Sequence, residues 1–174
     1  MDLSALIRTV PDFPKKGIMF KDITTLLKHP DGFNAALEEF YKLLENKQLT
    51  KVVGIESRGF IFGAALAAKL NVGFVPIRKP GKLPADKIEE SYSLEYGIDK
   101  IAVHTDAISK GDKVLLHDDL LATGGTMEAA CKLVERLGGE IVQISFLIEL
   151  AFLKGREKLK KYEVKSLITY DSEE

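Results

Sequence analysis

A chain of 174 residues is long enough for one well-filled core and too short for two comfortable domains, on a prior of roughly 100–200 residues per domain, so one domain over 1–174 is expected. Hydrophobic residues at 45% and charged residues at 29% are ordinary for a globular chain, and a net charge of −1 gives no global pull toward nucleic acid or anionic lipid, so an anionic ligand needs a local cluster. No apolar stretch approaches the ~20 residues that cross a bilayer, Met1–Ser4 is no basic signal region, and the one cysteine has no internal disulfide partner, so a cytoplasmic protein is expected.

Val10–Leu27, with Pro-Asp-Phe-Pro-Lys-Lys-Gly inside it, has no clear period and is expected as an irregular N-terminal cap. Phe33, Leu37, Phe40 and Leu44 then recur at helical spacing, with Asp31 as the expected N-cap. Lys51–Ile55 reads as a short apolar strand, Glu56-Ser57-Arg58-Gly59 as a turn, and Phe60–Leu70 as a helix. Gly63, Ala64, Ala65, Ala67 and Ala68 would let that helix lie close to a sheet. Gly73–Ile77 is another strand. The rhythm breaks at Arg78–Gly97, which opens on Arg-Lys-Pro-Gly-Lys-Leu-Pro. Loops of this length in a compact domain are functional or disordered. Its period-two tail through Tyr92, Leu94 and Tyr96, followed by Ile101–Val103, predicts a β-hairpin able to act as a lid. Lys113–His117 is a strand, followed by a helix with Met127, Ala130, Cys131, Val134 and Leu137 on one face and ended by Gly138-Gly139. Cys131 therefore reads as core packing. Glu140–Ile148 suits a buried central strand and Val164–Thr169 a final one. The alternation predicts an α/β fold: a mostly parallel twisted sheet with helices on both faces.

The most informative run is Val114–Thr126, in which a strand delivers Asp118 and Asp119 and then Ala122-Thr123-Gly124-Gly125-Thr126 leads into a helix. A polar strand end and a plain turn would explain each part alone. Together they place two carboxylates, suited to a diol, next to helix N-terminal amides and hydroxyls, suited to a phosphate. Neither G-x-x-x-x-G-K-[ST] nor G-x-G-x-x-G occurs, which argues against NTPases and dehydrogenases. In an open parallel sheet, ligands bind beyond the strands' carboxyl ends where the strand order reverses. There the 56–59 turn and the Arg78/Lys79/Lys82 loop would meet the acidic pair, and Arg58, Lys79 and Lys82 could hold a diphosphate at ~1.5–3 kcal/mol per charge-assisted bond. His117 should face away from Asp118, as a hydrogen-bonded core residue or, alternatively, a catalytic one. His29 and His104 lack metal-ligand partners at useful spacing.

Val114–Thr126 resembles the phosphoribosyl-diphosphate signature of the type I phosphoribosyltransferase family. Five further segments are similar to the members acting on adenine: Pro11-Asp12-Phe13-Pro14 with Gly17–Ile23, Glu56–Phe60, Gly81–Pro84, Ser91–Gly97 and Leu153–Leu159. The resemblance implies the family's fold, with an N-terminal base-binding hood over 1–30 and a flexible lid hairpin over 78–104. It implies transfer of the phosphoribosyl group from phosphoribosyl diphosphate to adenine, no nucleic-acid or membrane partner, and a homodimer. By the same resemblance Ala122–Thr126 would hold the 5′-phosphate, and Asp118 and Asp119 the ribose hydroxyls. Ser57, Arg58, Arg78, Lys79, Lys82 and Tyr96 would take pyrophosphate. Phe20 and Leu150 would sandwich the base, with the backbone around Met19–Lys21 reading its edge. Glu95 would be the acid/base residue, so the implied catalytic set is Glu95, Asp118, Asp119 and Arg58. Mg²⁺ would be held mainly by the substrate's oxygens, with no direct protein ligand. His117 departs from the family's usual apolar residue.

Two alternatives stand beside this. A 6-oxopurine acceptor would want a donor for its carbonyl, and Ile148-Glu149-Leu150 offers no lysine. A regulatory protein that binds phosphoribosyl diphosphate without turnover could lose the lid motif, which is present, and would want a DNA-binding appendage, which is not.

Overall fold

The computed structural model describes residues 1–94 and 96–173. The expected irregular cap is instead ordered. β1 (Arg8–Pro11) and β2 (Met19–Asp22) form an antiparallel ribbon, followed by the single-turn α1 (Thr24–Leu27). The turn between the strands is closed by the Asp12 carboxylate accepting from the Gly17 amide at 2.8 Å. Strands of four residues rimmed by Pro, Lys and Gly are too short to register as a period. Asp22 fastens the ribbon to α1, accepting from the Thr24 hydroxyl (2.7 Å) and amide (2.9 Å) and pairing with Arg8. These bonds pull its carboxyl down to about 2.

α2 (Pro30–Lys42) starts one residue before Asp31. His29 is its N-cap, its Nδ1 accepting from the Gly32 amide at 3.0 Å, and Pro30 fills the first helical position, where no amide is needed. Asp31 thus lies in the first turn, where a carboxylate favours the dipole without capping.

The central sheet contains β3 (Lys51–Ile55), β4 (Gly73–Ile77), β7 (Lys113–Leu121), β8 (Glu140–Leu150) and β9 (Val164–Tyr170), all parallel, in the order β4-β3-β7-β8-β9. α3 (Gly59–Leu70) links β3 to β4, and α4 (Gly125–Arg136) links β7 to β8. The strands read as continuous apolar runs because both faces are covered. Val53, Leu116, Ile144 and Phe146 pack with Met127, Ala130, Leu133 and Val134 of α4. Val52 and Leu115 pack with Phe40 of α2 and with Phe62 and Leu66 of α3. The small residues of α3 act as expected: a Cβ on Gly63 would stand 3.7 Å from the Gly54 Cα, so helix and strand touch almost backbone to backbone.

The lid is a hairpin of β5 (Lys87–Leu94) and β6 (Gly97–His104). Its base is buried through Ile101, Ala102 and Val103 and bridged to the end of β4 by paired Arg78–Ala102 backbone bonds of 3.0 and 2.8 Å. Arg136 of α4 donates to the Glu89 carbonyl (2.9 Å) and the Glu90 carboxylate (3.0 Å). Its tip exposes Leu94, Tyr96 and Ile98. No helix among the described residues is long and apolar enough to cross a membrane.

Candidate active site

After β3 the chain moves to β4 on one side, then returns to β7 on the other, so the order reverses between β3 and β7. Their carboxyl ends open on a cleft of about 420 Å³ lined by Glu56, Ser57, Arg58, Lys79, Tyr92, Asp118, Asp119 and Thr126. A smaller hollow of about 70 Å³ adjoins it, walled by Ala122–Thr126 and floored by Phe146.

The hollow owes its shape to glycines. Gly124 has φ of 87° and caps α4, so the free amides of the first turn line the hollow. A Cβ there would come within 2.6 Å of the Gly155 carbonyl oxygen, and one on Gly155 would collide with the Ala122 carbonyl and approach Leu121 Cδ1 at 2.8 Å. The 153–159 segment thus supports the turn from behind, a role the sequence reading did not assign. Buried Glu149 anchors this support. Arg156 donates to it in a fork at 2.7 and 2.8 Å and also to the Val164 carbonyl at 2.9 Å, and the Ser166 hydroxyl donates to Glu149 at 2.7 Å. Burial alone would raise the Glu149 carboxyl, and these bonds more than reverse that, leaving it lowered.

The two aspartates differ. Asp119 accepts from Arg58 Nε at 2.6 Å, while Asp118, among the described residues, accepts only the Asp119 amide at 2.8 Å. Burial, followed by the adjacent Asp119 charge, pushes the Asp118 carboxyl well above the usual carboxylate range. A carboxyl raised by burial and by an adjacent acidic side chain is a functional-site signature.

Glu56 gathers the cations. It accepts from Lys82 Nζ (2.7 Å) and the Lys79 amide (2.7 Å), with Arg78 at 3.4 Å. Its burial favours the neutral acid, but these partners outweigh it and the carboxyl is lowered. The Glu56–Ser57 peptide is cis. Lys79 Nζ donates to Asp99 (2.6 Å) and to the Tyr92 hydroxyl (2.8 Å), which itself donates to Asp99 (2.9 Å). Tyr92 and Asp99 were missed because their roles depend on the hairpin register that sets them opposite each other.

Of the sequence-predicted residues, Ser57, Arg58, Lys79, Asp118, Asp119 and Thr126 share the cleft, and Ala122–Thr126 form the hollow. Arg78 and Lys82 join through Glu56. Phe20 lies beside the guanidinium of Arg58, 5.5 Å from its ring centroid, with Phe13 edge-on behind it at 5.1 Å. The buried Lys21 side chain turns to the Thr9 hydroxyl (3.1 Å) and the Tyr170 ring (4.3 Å), leaving its backbone, not its ammonium, for a ligand. Ile148 is buried in the core and Glu149 is held by Arg156, so half-buried Leu150 remains of that trio for base contact. Tyr96 is not brought to the cations; it is 80% exposed at the lid tip, 5.3 Å beneath the ammonium of Lys15. Glu95 lies outside the described residues. No cluster of three or more metal-ligating side chains occurs among the described residues.

His117 is fully buried on the helix side of β7, its ring 5.0 Å from Phe40 and its Nδ1 2.9 Å from the Ser145 hydroxyl. Burial pushes its pKa down from 6.5 to about 4 against the Asp119 charge and the Ser145 bond. It is a neutral core histidine. Because the unfolded chain takes its proton near pH 6.5 and the folded one only near 4, stability is full above that window and falls as pH falls through it. Between pH 7 and 4.5 this should cost on the order of 2 kcal/mol. Urea midpoints at both pH values should show that loss in the wild type and a smaller one in His117→Leu; equal losses would show that His117 does not titrate so.

The phosphoribosyl transferase domain family model matches residues 22–173, and the chain belongs to that family. Among its relatives, adenine phosphoribosyltransferase of Christiangramia forsetii is 59% identical over 170 residues, 98% of this chain and 99% of the relative. The crystal structure of adenine phosphoribosyltransferase from Thermoanaerobacter pseudethanolicus superposes with a TM-score of 0.95 at 53% identity, covering 97% of this chain and 98% of that one. That of the Saccharomyces cerevisiae enzyme, complexed with an imino-altritol bisphosphate and adenine, gives 0.92 at 40% identity, covering 95% and 96%.

Proposed function

We infer that this chain transfers the 5-phosphoribosyl group from phosphoribosyl diphosphate to adenine, giving AMP and pyrophosphate, a purine salvage reaction. Its family and the names of its relatives support the reaction. The carrying observation is the juxtaposition at the ends of β3 and β7 of a glycine-lined anion seat, an unequal aspartate pair and a row of cations.

In the transfer, a purine nitrogen displaces pyrophosphate from the ribose C1′, with positive charge developing on the sugar ring and negative charge on the leaving group. Ala122–Thr126 seat the 5′-phosphate on amides and hydroxyls. Asp118 and Asp119 take the two ribose hydroxyls, and the Asp119 charge stabilises the cationic ring. Ser57, Arg58, Arg78, Lys79 and Lys82 receive the departing pyrophosphate, with Tyr96 closing from the lid to exclude water. Mg²⁺, bound through the substrate's own oxygens, would add Lewis-acid stabilisation of the leaving group. Phe20 and Leu150 enclose the base, the Met19–Lys21 backbone reads its edge, and Glu95 handles its proton, a role resting on resemblance alone. The whole 1–174 chain acts as one domain, with 1–30 as hood and 78–104 as lid. Its setting is assigned as the cytoplasm and its form as a homodimer, the latter from resemblance.

Adenine is favoured over a 6-oxopurine because the Ile148-Glu149-Leu150 run contains no lysine to donate to a carbonyl and the ammonium of Lys21 is engaged by Thr9 and Tyr170. Purified protein given phosphoribosyl diphosphate, Mg²⁺ and one base at a time should release pyrophosphate with adenine at least about 10²-fold faster than with hypoxanthine or guanine. Equal rates would overturn the base assignment, and no turnover with any base would favour binding without catalysis.

A further inference from the structure

Of the cations assigned to pyrophosphate, Arg58 is held by Asp119, Lys82 by Glu56 and Lys79 by Asp99, while Arg78 stands 3.4 Å from Glu56 with its Nε making no hydrogen bond. A diphosphate can use these cations fully only where an internal partner lets go. Asp119 cannot withdraw without leaving the sugar. Lys82 cannot leave Glu56 without stripping Oε1 of its hydrogen bond in a side chain only 11% exposed.

Asp99 differs on each count. Its Oδ1 accepts from the Lys100 amide at 2.8 Å and its Oδ2 from the Tyr92 hydroxyl at 2.9 Å, so both oxygens stay hydrogen-bonded if Lys79 leaves. Its side chain is 34% exposed, so water can resolvate it. Lys79 and Tyr92 both line the cleft, so the ammonium has only to swing from the lid strand toward the cleft.

We propose that Asp99 is a built-in competitor for pyrophosphate: it holds Lys79 until a diphosphate takes the ammonium, and it reclaims Lys79 as pyrophosphate departs. This rests on the reading of Lys79 as a pyrophosphate ligand. Asp99 touches no substrate and is a positioning residue. It weakens ground-state product binding and so favours release.

The test is titration of the full chain with magnesium pyrophosphate. Lys79→Ala should bind it more weakly. Asp99→Asn, which keeps the shape and loses the charge, should bind it about two- to fivefold more tightly, a modest gain fitting so exposed a pair. A structural role would give no tightening. In the Lys79→Ala background, Asp99→Asn should gain nothing. Unchanged or weaker binding by Asp99→Asn alone overturns the exchange, as does equal tightening in both backgrounds, which would mean a diffuse field effect. If Lys79→Ala binds as the wild type does, the assignment of Lys79 to pyrophosphate falls, and the exchange with it.

Discussion

Replacing both Asp118 and Asp119 by asparagine is expected to reduce phosphoribosyl transfer by about 10³-fold or more while leaving the melting temperature nearly unchanged. The activity loss follows from removing the carboxylate beneath a ring that becomes cationic and replacing two hydroxyl acceptors with amides that also donate. The retained stability follows from what the pair costs the fold. Asp118 sits where burial and the Asp119 charge disfavour its ionised form, so neutralising it relieves a repulsion. Arg58, the partner lost by Asp119, is 49% exposed and can be resolvated. Steady-state rates and a thermal melt of the same preparation check both halves. Undiminished transfer would show the pair misassigned, and a collapsed melt with residual activity would make it structural.

The second large effect lies outside the signature run. Gly155→Ala should lower transfer by about 10²-fold, chiefly through poorer use of phosphoribosyl diphosphate, because its Cβ would be driven into the Ala122 carbonyl and Leu121. These are backbone and packed core, so the phosphate turn itself has to move, with overpacking costing about 1–3 kcal/mol. Gly155 is clamped through the Arg156–Glu149 fork, so its segment cannot simply retreat. Rates at varied phosphoribosyl diphosphate measure the effect. A variant with wild-type kinetics would mean that the turn does not depend on this support.

Why one of these sites was legible in sequence and the other was not is a matter of range. Asp118, Asp119 and Ala122–Thr126 are contiguous, and a strand end followed by a helix start fixes their relative placement locally. The strands 51–55 and 73–77 were also readable to the residue, since two-sided burial writes an unbroken apolar run into short segments. β7 and β8 run beyond the expected ends because the polar Asp118 and Glu149 continue the ladder as functional and anchoring residues. The contact of Gly155 with Ala122, the fork on Glu149 and the Asp99–Tyr92–Lys79 cluster are tertiary pairings that no local period encodes. The β1–β2 ribbon was hidden because its strands are only four residues long, one largely exposed and the other half-buried along its length, so neither alternation nor an apolar run marks them. His29 could have been read as the cap from the Pro30 behind it, which is a first-turn residue.

The most direct measurement is a crystal structure of the protein with AMP bound. The account predicts the 5′-phosphate against the backbone of Ala122–Thr126, the two ribose hydroxyls within hydrogen-bonding distance of Asp118 and Asp119, and adenine between Phe20 and Leu150. A nucleotide seated elsewhere, or with its phosphate among Arg58, Lys79 and Lys82 and its ribose away from the aspartates, would contradict it.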